Sequence, residues 1–440
     1  MCVRDSGVMD LDSLRWLRSP EGQWVLRECW EADQSAHELA AKGDPRATDP
    51  LRLATAIRKR HPDIDGTLIA EALTQTELRR RASSKLGHLA PTLLYTRDGL
   101  EQASRTIVAE KRGARLRAAG TEMVADLGCG IGLDSLAFAS AGIRVEAVER
   151  DPLVATLAEA NAELAGLDTF INVHVGDLTQ HLNEVLPTVD TLFLDPARRD
   201  PHQRIDGRSK RTLDPQNWSP PWSWISSLAQ RTSRIAVKVA PGIPHELTPE
   251  GGCTTWTSVD GDLVEAEVMW PGLNIAGIQR MAVAIRRGHA HELTSAVSMS
   301  DETPPPVGSI GGWIMEPDDA VIRSGLVAVL AERSDARLID PRVAYLTCDS
   351  EPAPSPFMTA FRVEGVLPYR LETLKQKLIE RKIGKVIVKK RAINIDPDTV
   401  RRQLNLRGDA SAVVVITRIG DEPWAFICTP QSAVTAAPAE

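Results

Sequence analysis

The spacing of apolar residues changes twice along this chain. From Met1 to about Gly120, apolar positions recur every three or four residues and Pro and Gly mark the turns, so residues 1–120 are predicted to form a helical domain. The stretch between Thr96 and Gly120 predicts one long amphipathic helix, capped by Thr96 and ended by Gly120. That helix would lead directly into the following domain.

Residues 121–290 have a different pattern, in which short β-rich runs alternate with helical stretches. Such alternation is expected of a parallel sheet whose strands are joined by right-handed crossovers. The predicted strands are EMVADL, RVEAVE, FINVHV, DTLFLD, RIAVKVA and MAVAIRR, and LVEAEVMW predicts an antiparallel addition. The fold class predicted from this pattern is α/β.

The remainder of the chain is predicted to contain a linker and a smaller domain. Residues 291–312 are polar and rich in Pro, Gly and Ser, as interdomain linkers are. In residues 313–440, a helix starting at Asp396 and Pro397 stands between two β-rich segments, which predicts a small α+β module at about 365–432.

Composition limits the class of protein further. The chain has 440 residues, 42% hydrophobic and 25% charged, which are values of a folded protein with two or three domains. Its six cysteines include no CxxC pair, and it has neither a signal-peptide pattern nor a run of about 18 apolar residues. We therefore expect a cytoplasmic protein without a membrane span, a disulfide framework or a zinc site.

Charge is distributed unevenly. The formal net charge is -7, yet residues 365–407 contain twelve Lys and Arg against four Asp and Glu. Such a local surplus makes the C-terminal module a candidate surface for a polyanion.

The strongest chemical signal lies in the segment VADLGCGIGLDSLAFASAGIRVEAVERD. Gly128, Gly130 and Gly132 follow the first predicted strand, where glycine permits positive φ and lets backbone pass close to a bound cofactor. Glu149 ends the second strand, where a carboxylate accepts hydrogen bonds from both hydroxyls of a ribose. The pattern indicates a nucleoside cofactor.

Asp126 helps to decide which nucleoside binds. In the spacing D-x-G-x-G-x-G, its charge would lie beside the turn, where it repels a pyrophosphate and attracts a sulfonium or ammonium group. The region resembles the class I S-adenosylmethionine-dependent methyltransferases. This resemblance implies a Rossmann-like sheet, S-adenosylmethionine as cofactor and methyl transfer without a metal. The alternative is a Rossmann-like domain that keeps the turn without catalysis.

The resemblance extends to two residues after the third strand. Asp177 matches the position at which such enzymes contact the amino group of adenine, and Leu178 would supply a backbone contact. The alternative is that Asp177 begins a turn or caps a helix.

The fourth predicted strand is followed by Asp195, Pro196, Ala197 and Arg198, at the edge where ligands collect in α/β sheets. Base methyltransferases carry an Asn/Asp-Pro-Pro-aromatic motif here. The resemblance implies that Asp195 and the Pro196 carbonyl orient the target nitrogen, or that Asp195 acts as a general base. Ala197 and Arg198 depart from that motif and look closer to the Pro-Arg ending of some guanine-modifying transfer-RNA methyltransferases. Arg198 would stack on a base or hold a phosphate, and the alternative is a loop with surface charge.

A long basic loop comes next. Arg199 and the basic residues after it would guide a nucleic acid, while Trp218, Trp222 or Trp224 would stack an extruded base. The alternative is that the tryptophans cover the sheet, and we expect packing for at least two of them. Lys238, on the fifth strand, is expected to pair with a carboxylate and is given no catalytic role.

The C-terminal module resembles the THUMP-like domain of a family of bacterial class I methyltransferases. The resemblance rests on Lys389, Lys390 and Arg391 at a strand end, on the Asp-Pro helix start, and on Gly408 before the last hydrophobic strand. Because true THUMP domains bind RNA, the resemblance implies an RNA substrate. Phosphate contact requires Lys or Arg on one face, which the following residues could provide: Lys389, Lys390, Arg391, Arg401, Arg402 and Arg407. The alternative is a solvated charged face.

Three functions remain open at this point. The first is methylation of a base nitrogen in transfer or ribosomal RNA. The second is methylation of a small molecule or a protein. The third is a non-catalytic RNA-binding protein with a vestigial cofactor pocket.

Overall fold

The computed structural model describes residues 9–197, 199–205, 208–211, 214–274 and 276–431, with the backbone alone at 45–46, 199–205 and 208–211. The chain forms two compact units, Met1–Lys238 and Val239–Glu440. In the described part of the chain, no helix has the length and apolar character that crossing a bilayer needs.

The first unit opens with helices, as the apolar spacing predicts. They are α1 (Leu11–Arg18), α2 (Pro20–Ala41), α3 (Pro50–Arg60), α4 (Gly66–Leu86), α5 (Arg97–Gln102) and α6 (Thr106–Ala118). Thr96 caps α5 by accepting a hydrogen bond from the Gly99 amide at 3.0 Å, which confirms the predicted cap.

The prediction of one long helix from Thr96 to Gly120 is wrong. The chain leaves the helical conformation at Ala103, between α5 and α6. The buried Ser104 hydroxyl donates a hydrogen bond to Asp134 at 2.8 Å. This tertiary contact competes with local helix propensity, which is a weak determinant on its own.

A parallel sheet follows the helices. Its strands are β1 (Met123–Leu127), β2 (Arg144–Glu149), β3 (Ile171–Val175), β4 (Thr191–Leu194) and β7 (Ile235–Val239). Between β4 and β7 the chain forms a separate hairpin of β5 (Arg199–Ile205) and β6 (Arg208–Arg211). The helices between the strands of the sheet are α7 (Leu133–Ser140), α8 (Pro152–Leu164), α9 (Leu178–Val185) and α10 (Trp222–Ser227). The hairpin β5–β6 lies within the loop predicted to be long and basic.

The strand order β3-β2-β1-β4-β7, with every pair parallel, is that of a Rossmann-like sheet. The order reverses between β1 and β4, and the carboxyl ends of strands at such a reversal form a ligand-binding crevice. All residues of β4 and β7 are buried, which explains why their sequences are nearly continuous apolar runs.

Asn161 joins the helical region to the first part of the sheet. Its side chain is buried, accepts a hydrogen bond from the Leu94 amide at 2.8 Å, and donates to the carbonyls of Leu94 and Ile131. Because Ile131 lies in the glycine-rich turn, this one side chain ties the turn to the helices before it.

The second unit begins with the four strands β8 (Cys253–Val259), β9 (Asp262–Met269), β10 (Arg280–Arg286) and β11 (His289–Ser295). Strand β8 pairs antiparallel with β9 and parallel with β10, and β10 pairs antiparallel with β11. The segment LVEAEVMW, predicted to add an antiparallel strand, lies mainly in β9, which confirms that prediction. The prediction of a linker over 291–312 is wrong for its first residues, because β11 extends to Ser295 and buries Leu293 completely.

The remaining elements form a second sheet with helices. They are β12 (Trp313–Pro317), α11 (Asp319–Arg323), α12 (Val327–Arg333), β13 (Arg337–Asp340), β14 (Val343–Cys348), β15 (Met358–Pro368), α13 (Leu371–Glu380), β16 (Ile383–Lys390), α14 (Pro397–Leu404), β17 (Ala410–Ile419) and β18 (Glu422–Pro430). The strand order is β13-β14-β12-β15-β18-β17-β16. Buried residues of α13 and α14, including Leu374, Leu378 and Leu404, pack on one face of the last strands. The helix predicted to start at Asp396 and Pro397 is α14, and Asp396 is its N-cap.

We predict that Asn161→Ala lowers the free energy of unfolding by about 2–4 kcal/mol, because it leaves buried backbone groups of Leu94 and Ile131 without partners. Chemical denaturation would measure the change. Asn172→Ala is the matched control, since Asn172 is exposed on β3, and it should change stability by less than about 0.5 kcal/mol. Equal losses in the two variants would contradict the structural role given to Asn161.

Candidate active site at the carboxyl ends of the parallel strands

The three glycines of the turn after β1 all have positive φ: 91° at Gly128, 57° at Gly130 and 84° at Gly132. A Cβ on Gly130 would meet no atom within 4 Å, whereas a Cβ on Gly132 would lie 3.3 Å from the Cβ of Ala158. The turn therefore needs glycine for its backbone conformation, and at Gly130 it borders open space that a ligand could enter.

Glu149, at the end of β2, braces this turn. Its Oε2 accepts a hydrogen bond from the Gly130 amide at 3.0 Å, and its Oε1 accepts one from the Asp151 amide at 2.9 Å. Each carboxylate oxygen has a second lone pair, so Glu149 can also accept hydrogen bonds from ribose hydroxyls. The role predicted for Glu149 toward a ribose stays a prediction.

Asp126 lies in β1 and is only 1% exposed. Its Oδ2 accepts a hydrogen bond from the Ser135 hydroxyl, while its Oδ1 is buried and has no hydrogen-bond partner among the described residues. Burial, together with the neighbouring charges of Asp134 and Asp195, raises the pKa of Asp126 to about 7. Its negative charge near neutral pH is therefore conditional and would be favoured by an arriving cation.

Five ionisable side chains meet here, and we call them the buried charge cluster. They are Asp126, Asp134, Asp195, Arg112 and Lys238. Arg112 is fully buried, contacts Asp134, and lies with its guanidinium carbon 5.1 Å from the centroid of the Phe193 ring. Within this cluster, three carboxylates stand against two cations.

Asp195 follows β4 and is the member of the buried charge cluster that is most exposed to solvent. Its side chain is 29% exposed, and its Oδ2 accepts a hydrogen bond from the Lys238 ammonium at 2.6 Å, which confirms the expected pairing of Lys238 with a carboxylate. The Asp195 carbonyl oxygen lies 3.8 Å from the place that a Cβ on Gly128 would occupy. Asp195 therefore borders the glycine-rich turn.

The next residues explain one departure from the base-methyltransferase motif. Pro196 is buried, and Ala197 exchanges two backbone hydrogen bonds with Ser219, donating from its own amide at 2.9 Å. A proline at position 197 could not donate that bond. Arg198 lies outside the described residues, and at Arg199 only the backbone in β5 is described, so their predicted contacts with substrate remain predictions.

Asp177 and Leu178 stand where β3 leads into α9. Asp177 is the N-cap of α9, since its Oδ1 accepts hydrogen bonds from the amide and hydroxyl of Thr179. These bonds lower the pKa of Asp177. The helix cap considered as an alternative is thus present, and contact of Asp177 and Leu178 with adenine stays a prediction.

The tryptophans after the hairpin mostly pack. Trp218 and Trp222 are each 4% exposed, and their rings meet edge to face with centroids 6.0 Å apart. Trp224 is half-buried. The expectation of packing for at least two of them is confirmed.

The three basic residues at the end of β16 differ in their exposure to solvent. Lys389 and Arg391 are half-buried and lie near Glu316, and Arg391 also approaches Asp319 at 3.4 Å. Lys390 is exposed. Side chains alternate in direction along a strand, so Lys390 points away from its two neighbours. Contact of all three with phosphates remains a prediction, and for Lys389 and Arg391 it would have to compete with these carboxylates.

No group of three or more described His, Cys, Asp or Glu side chains is arranged to hold a metal ion. Desolvation and the charges of Asp126 and Glu149 raise the pKa of the Cys129 thiol well above its ordinary value, which makes it a poor nucleophile.

The residues around the glycine-rich turn fit a nucleoside that carries a positive charge. The unpartnered Oδ1 of Asp126 and the excess of carboxylates favour a cation, and the open space at Gly130 lets a ligand approach the backbone. Glu149 has acceptor capacity for a sugar.

Comparison with known proteins agrees with this geometry. Residues 65–213 match a family described as "Putative SAM-dependent methyltransferase", residues 358–430 match "THUMP domain-like", and residues 10–82 match a domain of unknown function. An uncharacterized S-adenosylmethionine-dependent methyltransferase of Mycobacterium tuberculosis H37Rv is 33% identical over 373 residues, covering 81% of this chain and 95% of that protein. The chain belongs to this family of S-adenosylmethionine-dependent methyltransferases.

Two further similarities concern this methyltransferase. A crystal structure titled "putative methyltransferase" from Porphyromonas gingivalis W83 covers 84% of this chain and 92% of its own, with a TM-score of 0.67 and 21% identity, which supports the fold. Ribosomal RNA small subunit methyltransferase J of Halorhodospira halophila is 30% identical over 159 residues, 33% of this chain and 58% of that protein. The chain spans little more than half of the latter relative.

Sequence reasoning missed several residues of the candidate site. Asp134 and Ser135 directly follow the glycine-rich turn, so an acidic residue in the first turn of the next helix was a usable signal. Arg112 gave no such signal, because a basic residue on an amphipathic helix usually faces solvent. Its complete burial depends on Asp134, which lies 22 residues away in sequence.

We predict that Asp126→Asn changes how stability depends on pH. A carboxyl whose folded pKa is raised to about 7 from 3.8 stabilises the fold when protonated, and this contribution is lost as pH rises between those values. In protein freed of cofactor, the melting temperature of the variant relative to wild type should therefore rise from pH 5 to pH 8. Differential scanning fluorimetry would measure it, with Asp168→Asn as an exposed control. Parallel curves for all three proteins would contradict the pKa assignment.

We predict that Glu149→Gln weakens S-adenosylmethionine binding by about tenfold or more. The carboxylate accepts from two backbone N–H groups, and in the variant one of them would face the side-chain NH₂ of glutamine and lose its hydrogen bond. Isothermal titration calorimetry would measure the dissociation constant. Glu146→Gln changes an acid on the same strand that pairs with His174, away from the turn. Equal affinities of the two variants would rule out the bracing role.

Proposed function

We propose that this methyltransferase transfers the methyl group to a base nitrogen of an RNA, in the cytoplasm. The observation that carries the proposal is the position of Asp195, half-exposed at the carboxyl end of β4 and bordering Gly128. A carboxylate in this place can accept a hydrogen bond from an N–H group of a substrate while the nitrogen lone pair faces the cofactor.

S-adenosylmethionine, when bound, supplies a methyl group activated by a sulfonium centre. The glycine-rich turn, Asp126 and Glu149 would hold this cofactor, which would supply an electrophilic methyl carbon to the nitrogen and leave as a neutral thioether. Asp195 and the Pro196 carbonyl orient the nitrogen, and the proton that the methylated nitrogen loses passes to solvent, directly or through Asp195. The protein contributes mainly positioning and exclusion of water.

An RNA substrate is supported by the C-terminal module and by the relatives. Strand β16 and helix α14 border a shallow cavity of about 280 Å³ that Lys385 and Arg401 help to line. Exposed basic residues lie on the same elements or next to them: Lys382, Lys385, Lys390, Arg402 and Arg407. Basic residues exposed in this way suit contacts with a phosphate backbone. The similarity to a ribosomal RNA methyltransferase points in the same direction.

The competing substrates are a small molecule and a protein. Both would use the same cofactor pocket, so the pocket alone does not separate them from RNA. Salt dependence distinguishes them, because a polyanion bound to the basic surface would release many counterions, whereas a neutral small molecule would not.

We predict that Asp195→Ala lowers the turnover number at least about 100-fold while changing the dissociation constant for S-adenosylmethionine less than about threefold. The physical reason is that the variant keeps the turn but loses the group that orients the nitrogen. Transfer of labelled methyl groups to total RNA would measure turnover, and calorimetry would measure affinity. Asp168→Ala, an exposed acid between α8 and β3, is the control and should behave as wild type. Unchanged turnover in Asp195→Ala would remove Asp195 from the mechanism.

We predict that the KM for RNA rises steeply with added salt, and that Lys385→Ala combined with Lys390→Ala reduces the slope of log KM against log salt by about two. Each removed cation that contacts a phosphate should lower the slope by roughly one. Lys42→Ala with Lys59→Ala, which removes two exposed lysines of the N-terminal helices, is the matched control. A flat salt response of the wild type would favour a small-molecule substrate.

A further inference from the structure

We propose that Lys238 is a positioning residue for methyl transfer, whose ammonium group holds the Asp195 carboxylate in the orientation that receives the substrate nitrogen. This inference rests on the proposed function, because it concerns the same site. It assigns Lys238 a role that sequence reasoning did not give it.

Neighbouring strands place the two residues together. Strands β4 and β7 are parallel, with Leu194 opposite Val237. Asp195 and Lys238 come next on their respective strands, so they meet at the carboxyl edge of the sheet. The Nζ–Oδ2 distance is 2.6 Å, that of a strong charge-assisted hydrogen bond.

The two partners differ in exposure. Lys238 is only 6% exposed, whereas the side chain of Asp195 is 29% exposed. A buried ammonium is costly unless it is paired with an opposite charge. The lysine therefore lies behind the carboxylate, on the protein side, and leaves the outer part of the carboxylate accessible.

Asp134 is a less suitable partner for Lys238. It contacts the buried Arg112, accepts a hydrogen bond from Ser104 at 2.8 Å, and lies 3.9 Å from the lysine. Asp195 is closer by more than 1 Å. Lys238 also approaches the Gln102 carbonyl at 3.5 Å, and its charge lowers the pKa of Asp126. Of the two carboxylates that Lys238 approaches within 4 Å, Asp195 forms the shorter contact.

The remaining members of the buried charge cluster explain why such a tether is needed. Asp134 and Asp195 both lie close enough to Asp126 for their negative charges to raise its pKa, so the three carboxyl groups are within electrostatic range of one another. Without Lys238, these carboxylates would repel Asp195 toward solvent. A displacement of about 1 Å at a reacting group can lower turnover about 100-fold.

A matched control lies at the other end of the same strand. Arg234 precedes β7, lies 3.7 Å from Asp190, and donates to the carbonyls of Asp190 and Ala119. Arg234 and Asp190 thus repeat the pairing of Lys238 and Asp195 at the amino-terminal edge of the sheet, away from the glycine-rich turn. Loss of Arg234 should lower stability without a specific effect on turnover.

A double-mutant cycle tests the proposal. Turnover number, KM for RNA, affinity for S-adenosylmethionine and melting temperature would be measured for wild type, Lys238→Met, Lys238→Arg, Asp195→Asn, the double variant Lys238→Met with Asp195→Asn, and Arg234→Met. We expect Lys238→Met to lower turnover about 100-fold while its cofactor affinity stays within about threefold, and Lys238→Arg to recover at least about tenfold. In the Asp195→Asn background, Lys238→Met should lower turnover by less than about threefold, because the carboxylate that Lys238 positions is absent.

Three results would overturn the proposal: equal fold losses from Lys238→Met in both backgrounds, a fall in turnover for Arg234→Met as large as that for Lys238→Met, or no fall for Lys238→Met. Crystal structures of the variants provide a readout that needs no substrate. The Asp195 carboxylate should be displaced or disordered in Lys238→Met and in place in Lys238→Arg, and an unmoved carboxylate in Lys238→Met would refute the tether. Wild-type protein that methylates no RNA would count against the proposed substrate, whereas the crystal structures would still decide the role of Lys238.

Discussion

The candidate active site of this methyltransferase depends on charges that are buried together at one edge of a parallel sheet. Because β1, β4 and β7 run in the same direction, Asp126, Asp195 and Lys238 reach the same edge, and α6 and α7 add Arg112 and Asp134. Burial makes every interaction among these groups stronger than it would be in water. With three carboxylates and two cations, the cluster favours an additional positive charge, and Asp195 is its most exposed member.

The glycine-rich turn is held from several sides. Glu149 binds the Gly130 amide, and Asn161 binds the Ile131 carbonyl together with the backbone of Leu94. A Cβ on Gly99, in α5, would collide with Ile131, so the helical region packs closely against the turn. On the helical side, two side chains of α4 hold the segment before α5: Gln75 forms two hydrogen bonds with the Tyr95 backbone, and Arg79 donates to the carbonyls of Leu93 and Thr92. The N-terminal helices therefore form part of the support of the cofactor site.

In the C-terminal module, not every basic residue is available to a ligand. Lys389 and Arg391 are near Glu316, and their charged groups also lie over the rings of Phe361 and Tyr345. These interactions stabilise the module itself. The exposed lysines Lys385 and Lys390 keep their charges available to solvent, so a polyanion would meet them first.

Sequence alone determined the class of fold, the parallel strands and the nature of the cofactor turn, because these follow from local patterns: apolar runs, helical spacing and glycines that permit positive φ. It did not reveal the break before α6, the strand β11 or the burial of Arg112, since each depends on a partner distant in sequence or on pairing within a sheet. It also identified Asp126 and Asp195 as chemically important without indicating their surroundings. Only the tertiary structure brought Asp134 and Lys238 to them, and the strength of a buried charge is decided by such neighbours rather than by the residue type.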